Sequence, residues 1–126
     1  MKKVLLILLF LVSCFCFSQN ETHKSITNTF IQNFNSYNFE NIFQSFSEKM
    51  QKAKTKEYFH NFFSRIRTEN GAILNLELLK YRETKEKITQ GIYNSENENG
   101  ELTIKITIDR TGQIIGLYIF KKKIYI

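Results

Sequence analysis

Two histidines, twelve acidic side chains and two cysteines are the groups from which this 126-residue chain could build chemistry. His23 lies in a polar stretch near the start, and His60 stands beside Phe59 in an aromatic run. No His-x-x-x-His, His-Glu pair or carboxylate cluster surrounds either one, so no metal site is expected. A general base at His60 would need a nucleophile and an orienting acid, and nothing local supplies them. His60 therefore reads as a helix-surface or boundary residue. Glu96, Glu98 and Glu101 flank a loop with Asn97, Asn99 and Gly100, but the terminal glutamate of a calcium-binding loop is missing. That loop reads as a solvated hairpin. Asp109-Arg110-Thr111-Gly112 reads as a turn. Phosphate-loop, GxSxG, SxxK and dinucleotide glycine patterns do not occur. No cofactor is expected. Lys121, Lys122 and Lys123 read as a charged strand edge that discourages edge-to-edge association.

Both cysteines, Cys14 and Cys16, fall in the N-terminal segment. Lys2 and Lys3 precede an unbroken apolar run, residues 4–12 (VLLILLFLV), which has the length and flanks of a secretory signal. It is too short for a membrane span of about 20 residues. Cleavage after Ser18 would release a soluble chain from Gln19. Leu11-Val12-Ser13-Cys14 also resembles a bacterial lipobox, in which Cys14 would carry the lipid. The expected divisions are a signal peptide over 1–18, a flexible segment over 19–24 and one domain over 25–126. Export to a periplasmic or secreted location, or lipid anchoring in the envelope, follows. Plain cleavage leaves no thiol, hence no disulfide and no cysteine nucleophile. The formal charge of +6 includes the two leader lysines. The remaining mild basicity is interspersed with acids and does not point to nucleic acid.

The elements that would position any site come in two blocks. Ile26, Phe30, Phe34 and Tyr37 recur at helical spacing from Ser25 onward. Phe39, Ile42, Phe43 and Phe46 make a second stripe. After a polar connector over 48–54, Thr55 caps a third helix bearing Tyr58, Phe59, Phe62, Phe63 and Ile66, closed at Asn70-Gly71. The period then changes to two. Strands are expected over 72–82, with Leu74, Leu76 and Leu78 on one face, although Leu, Glu and Lys make helix a competitor there, and over 88–93, followed by a loop over 94–100. Leu102, Ile104, Ile106 and Ile108 alternate with Glu101, Thr103, Lys105 and Thr107, the pattern of a half-buried strand. Gly112 turns this strand into a last one. The expected fold is α+β: about three N-terminal helices packed on a four-stranded antiparallel sheet. Aromatic residues at helical spacing are read as core.

The stretch from Phe30 to Ile73 and the closing hairpin resemble the small exported DUF3887-type domain. The residues that carry this are Tyr37, Phe39, Ile42 and Phe43, then Ser47 and Met50, Phe62 and Phe63, Gly71, and finally Gly112 with Ile114, Gly116 and Leu117. The resemblance implies an NTF2-like (cystatin-like) fold, with helices lying in the concave face of a curved sheet. It also implies a domain that often precedes a serine β-lactamase-like or other hydrolase domain and has no established catalysis of its own. No such hydrolase segment lies in these residues, and no catalytic residue transfers.

The expected function is a non-catalytic exported module that binds a small apolar ligand or a protein partner, with a homodimer through the sheet as one form of partner. Membrane association is expected only if Cys14 is lipidated. Phe59, Phe62, Phe63, Leu74, Leu76, Leu78, Ile104, Ile106, Leu117 and Ile119 would line the cone. If the phenylalanines fill it, no pocket remains and the outer sheet face is the candidate interface. A cavity above roughly 300 Å³ would favour a ligand. The alternative is a small enzyme of this fold. It needs an acid or base deep in the cone, where Glu77 has the wrong parity and Tyr58, Tyr81, Tyr93 and Tyr118 are the polar candidates. A buried glutamate or histidine with a tyrosine partner, facing a cavity, would be its mark.

Overall fold

A computed structural model describes residues 19–122. The leader, Cys14 and Cys16 lie outside the described residues. Four helices precede four strands: α1 (Gln19–Asn35), α2 (Phe39–Gln44), α3 (Glu48–Ala53), α4 (Lys56–Asn70), then β1 (Ile73–Glu83), β2 (Thr89–Asn97), β3 (Gly100–Ile108) and β4 (Ile114–Lys121). The strands form one antiparallel meander in the order β1-β2-β3-β4, and the helices cover one face. The α+β architecture is as expected, with one more short helix. Ser47 starts α3, its side chain accepting from the Met50 N–H, so the polar connector folds into a turn and a half of helix.

Local chemistry sets most boundaries. Thr55 caps α4 by accepting from the Tyr58 N–H. Gly71 stops α4 at φ 79°, ψ −175°, a left-sided conformation that glycine adopts without strain, although its ψ is not that of the expected left-handed cap. Asp109 Oδ1 accepts from the Thr111 N–H at 2.9 Å, the Thr111 hydroxyl at 2.7 Å and the Gln113 N–H at 3.0 Å. That is the side-chain-to-backbone turn that favours aspartate. Burial alone would raise the Asp109 pKa, but these hydrogen bonds hold it below the usual value.

The core gathers Phe30 and Phe34 of α1, Phe39 and Ile42 of α2, Phe46, and Phe63 and Ile66 of α4 against Ile104, Ile106, Ile108 and Ile114 of the sheet. Rings meet edge-on or tilted, as between Phe46 and Phe59 at 4.9 Å and Phe39 and Phe63 at 5.8 Å, the offset geometries that aromatic pairs prefer. Asparagines lock the helical layer to the strands. Asn35 mimics a strand residue: its Oδ1 accepts from the Ile73 N–H at 2.8 Å and its Nδ2 donates to the Ile73 carbonyl at 2.9 Å. Asn97 Nδ2 donates to the Gly71 carbonyl at 3.1 Å.

Three boundary expectations need correction. Helix α1 is already formed from Gln19, so residues 19–24 are helical and not a frayed lead-in to a helix at Ser25. Strand β2 continues to Asn97, because its backbone stays paired with β3 up to Gly100 and with β1 at Ile73, and the side chains of Ser95 and Asn97 bond to each other inside the fold. The three leucines of β1 do not share one face. The register with β2 shifts between Ile73 and Asn75 and between Leu78 and Lys80. These bulges put Leu74 outward at 69% exposure and leave Leu76 and Leu78 facing the helices.

Candidate functional site

Helix α1 presents one face to the sheet. Counting back along it, Phe34, Phe30, Thr27 and His23 fall on that face at steps of four, three and four, which α-helical geometry aligns. All four are buried. The two phenylalanines pack against each other and against Phe63 and Phe39 in the core. Thr27 and His23 instead meet the inward row of β2, which reads Thr89, Gly91, Tyr93, Ser95 and Asn97. The space between helix and sheet is therefore divided: one half is filled by aromatic rings, and the other is lined by hydroxyls and an imidazole.

His23 is 1% exposed. Its Nδ1 lies 2.8 Å from Thr89 Oγ1. Its ring stacks on Tyr93 (6.1 Å between centroids, 19° between planes) and meets Tyr81 edge-on at 5.4 Å. Gly91 makes this packing feasible: a β-carbon there would stand 2.6 Å from His23 Nε2 and 2.7 Å from the Tyr93 hydroxyl, closer than such atoms approach. A strand glycine marks this close passage. The charged form of a group so removed from water is disfavoured, and burial pulls the imidazole pKa from 6.5 down to about 4. His23 is neutral at physiological pH. Burial likewise raises the phenol pKa of Tyr81, helped by Glu83 and Tyr93. The Tyr93 phenol is raised by burial, with Thr27 beside it pulling partly the other way.

Three buried polar atoms here have no hydrogen-bond partner: His23 Nε2, Thr27 Oγ1 and the Tyr81 hydroxyl. Thr27 thus neighbours the Tyr93 phenol without forming a hydrogen bond of normal geometry. Such atoms are uncommon inside folded proteins and call for an explanation. The three residues that carry these atoms line one cleft of about 170 Å³, together with Asn20, Lys24, Asn28, Leu76, Leu78 and Tyr93. Leu78 faces inward yet is 51% exposed, because the cleft opens past it. Among the described residues that line it Lys24 is the one charged side chain, and Glu83 acts electrostatically on Tyr81.

The expected lining residues distribute differently. Phe63, Ile104 and Ile106 are buried in the core, with Phe59, Phe62, Leu117 and Ile119 packed half-buried against it. Leu76 and Leu78 line the cleft, and Leu74 points away from it. Glu77 and Tyr118 are exposed, as is Tyr58. His60 is exposed too and touches Phe39 edge-on at 5.5 Å. The larger trough beside it, about 400 Å³, is bordered by Glu40, Lys56 and Glu57. Those side chains face solvent, and Lys56 pairs with Glu40. Among the described residues no group of three or more His, Cys, Asp or Glu side chains gathers as a metal site requires, and no helix is long and apolar enough to cross a membrane.

Sequence reasoning missed His23, Thr27 and Gly91. Two signals were present. The spacing of Phe30 and Phe34 extends backward through Thr27 to His23, and a glycine interrupts a strand otherwise suited to side-chain packing.

Residues 27–117 match a family described as a protein of unknown function, DUF3887. No curated protein matches the chain, and no solved structure does.

Proposed function

The chain belongs to the DUF3887 family, and we propose that it is an exported, non-catalytic domain that binds a small molecule in the cleft between α1 and the β1–β2 edge of the sheet. The observation that carries this reading is a cleft of about 170 Å³ lined by three residues, His23, Thr27 and Tyr81, that each hold a buried polar atom without a partner. A buried polar group without a partner costs roughly 1–3 kcal/mol. Because these atoms are closed to solvent, a ligand recovers that cost only by parting the side chains that cover them. At about 170 Å³ the cleft lies below the roughly 300 Å³ of pockets for drug-sized molecules, so the ligand is fragment-sized. The leader supports export, with anchoring through Cys14 as the variant form. The exposed Tyr118 and Phe120 of the outer sheet face are where a protein partner or second copy would dock.

One observation favours a second reading. A buried histidine against two tyrosines beside a cleft is the arrangement that acid–base catalysis would use. Two features weigh against it. Efficient general bases titrate near the working pH, and His23 lies well below it. Its Nδ1 meets a threonine and not an orienting carboxylate.

A fragment library screened by ¹H–¹⁵N correlation spectra tests the binding reading. Hits that move the resonances of His23, Thr27, Tyr81 and Tyr93 in wild type, and fail to do so in Thr27→Val, support it. A library that yields no hit at these residues refutes it.

A further inference from the structure

We propose that the outer face of the sheet docks a second copy of this chain, face to face, about a two-fold axis that lies across the strands between the row of Glu77 and Phe120 and the row of Lys80 and Tyr118. This rests on the reading of the outer face as a docking surface given above, and names its partner and its geometry.

The strand register lays the outer face out as a grid of four rows running from β1 to β4. Glu96 and Glu101 stand in the first row, and Glu77 and Phe120 end the second. Lys80, Lys105 and Tyr118 stand in the third, and Arg82 begins the fourth. The charges are thus segregated: acids occupy the first two rows and bases the next two. Glu101 is already neutralised by Lys122 at 3.0 Å, and Lys105 lies over the Tyr118 ring at 5.7 Å. Among the described residues no ion pair holds Glu77, Glu96, Lys80 or Arg82. The aromatic rings of Tyr118 and Phe120 are 61% and 53% exposed.

A face that is acidic at one end and basic at the other complements itself when a second copy is turned end for end. Packed sheets keep their strands within about 30° of one another, so two face-to-face two-folds are available. With the axis across the strands, the second row of each copy lies over the third row of the other. Glu77 then meets Lys80 of the second copy, Phe120 meets its Tyr118, and Glu96 comes beside its Arg82. With the axis along the strands, each row lies over itself. Glu77 then meets Phe120, Lys80 meets Tyr118, and Glu96 meets Glu101. The first arrangement pairs charge with charge and ring with ring, and charge complementarity of this kind fixes register more than it adds affinity.

Area sets the strength. Four rows about 7 Å apart and four strands about 4.8 Å apart make a footprint of about 500 Å² on each copy. Two footprints just reach the roughly 1,000 Å² at which specific interfaces begin, so the dimer is weak and reversible.

The test is sedimentation velocity of the protein at pH 7 across a wide range of concentration. Wild type should pass from monomer to dimer as concentration rises, and raising salt from about 0.05 to 0.5 M should weaken the dimer by screening its charges. Glu77→Lys and Lys80→Glu should each weaken it about tenfold, because the two-fold makes this pair twice and each reversal turns both pairs repulsive. An equimolar mixture of the two variants should dimerise again, since one copy then offers two acids to the two bases of the other. Circular dichroism melts check that these exposed substitutions leave the fold intact. A protein that is monomeric at every concentration overturns the inference. A dimer that Phe120→Ser weakens but the charge reversals do not, or a mixture of variants that stays monomeric, overturns the two-fold arrangement and leaves the outer face as a docking surface. A dimer that none of these substitutions weakens removes the outer face as well. The cleft reading is tested separately by the fragment screen.

Discussion

Acidification should destabilise this domain through one side chain. His23 is buried and neutral, with its pKa drawn from 6.5 to about 4. In the unfolded chain the imidazole regains its ordinary value, so between these two values the unfolded state binds the proton and the folded state does not. Stability rises with pH wherever the unfolded state binds more protons. The contribution of neutral His23 is thus complete above about pH 6.5, declines below it, and is gone once pH passes below about 4. At 1.36 kcal/mol per pKa unit the whole loss is about 3 kcal/mol, and the loss by pH 5 is about 2 kcal/mol. Against a total of about 5–15 kcal/mol for a domain this is readily measured.

The groups that face His23 do not titrate in that window. Thr27, Thr89 and Gly91 are neutral, and Tyr81 and Tyr93 have raised phenol pKa values, that of Tyr81 helped by Glu83 beyond it. Glu40 and Asp109 are held below their ordinary values of 4.5 and 3.8. Their contributions are present above those values and are lost only as pH falls below them. Urea unfolding at pH 7, 6 and 5, followed by circular dichroism, isolates His23. With a slope of about 2 kcal/mol per molar urea, the midpoint should drop by about 1 M between pH 7 and 5. In His23→Gln, which cannot ionise, the midpoint should stay nearly level. A flat wild-type profile, or an equal drop in the variant, would refute the reasoning.

Gly91→Ala should cost about 1–3 kcal/mol, because its β-carbon would overlap His23 and Tyr93 and force the helix outward; thermal melting reads this directly. Asn35→Ala should cost about 1–3 kcal/mol by stranding the Ile73 N–H and carbonyl that the side chain now pairs, with amide exchange at Ile73 accelerating. Phe63→Ala, in a site of 0% exposure ringed by other phenylalanines, should cost about 3–5 kcal/mol in urea unfolding.

What was legible in the chain, and what was not, follows from how each feature is encoded. The alternation Leu102, Ile104, Ile106, Ile108 is a local code, and all four are buried on one face of β3. Thr55 and Asp109 act on backbone groups within a few residues, and both do what their side chains suggest. The cleft is non-local. His23 bonds Thr89, 66 positions away, and a polar residue near the start of a helix looks like surface until the opposing strand is known. The leucines of β1 failed for a related reason. Strict parity places Leu74 with Leu76 and Leu78, but two bulges in the register with β2 break the alternation, and no turn residue announces them. The asparagine lock of Asn35 on Ile73 was invisible in the same way, since it depends on where α1 ends relative to β1.

The most direct test of the account is a long-range ¹H–¹⁵N spectrum of the His23 imidazole, recorded across pH. The account predicts a ring that is neutral at pH 7 and titrates near 4. A ring that titrates near 6.5 would contradict it.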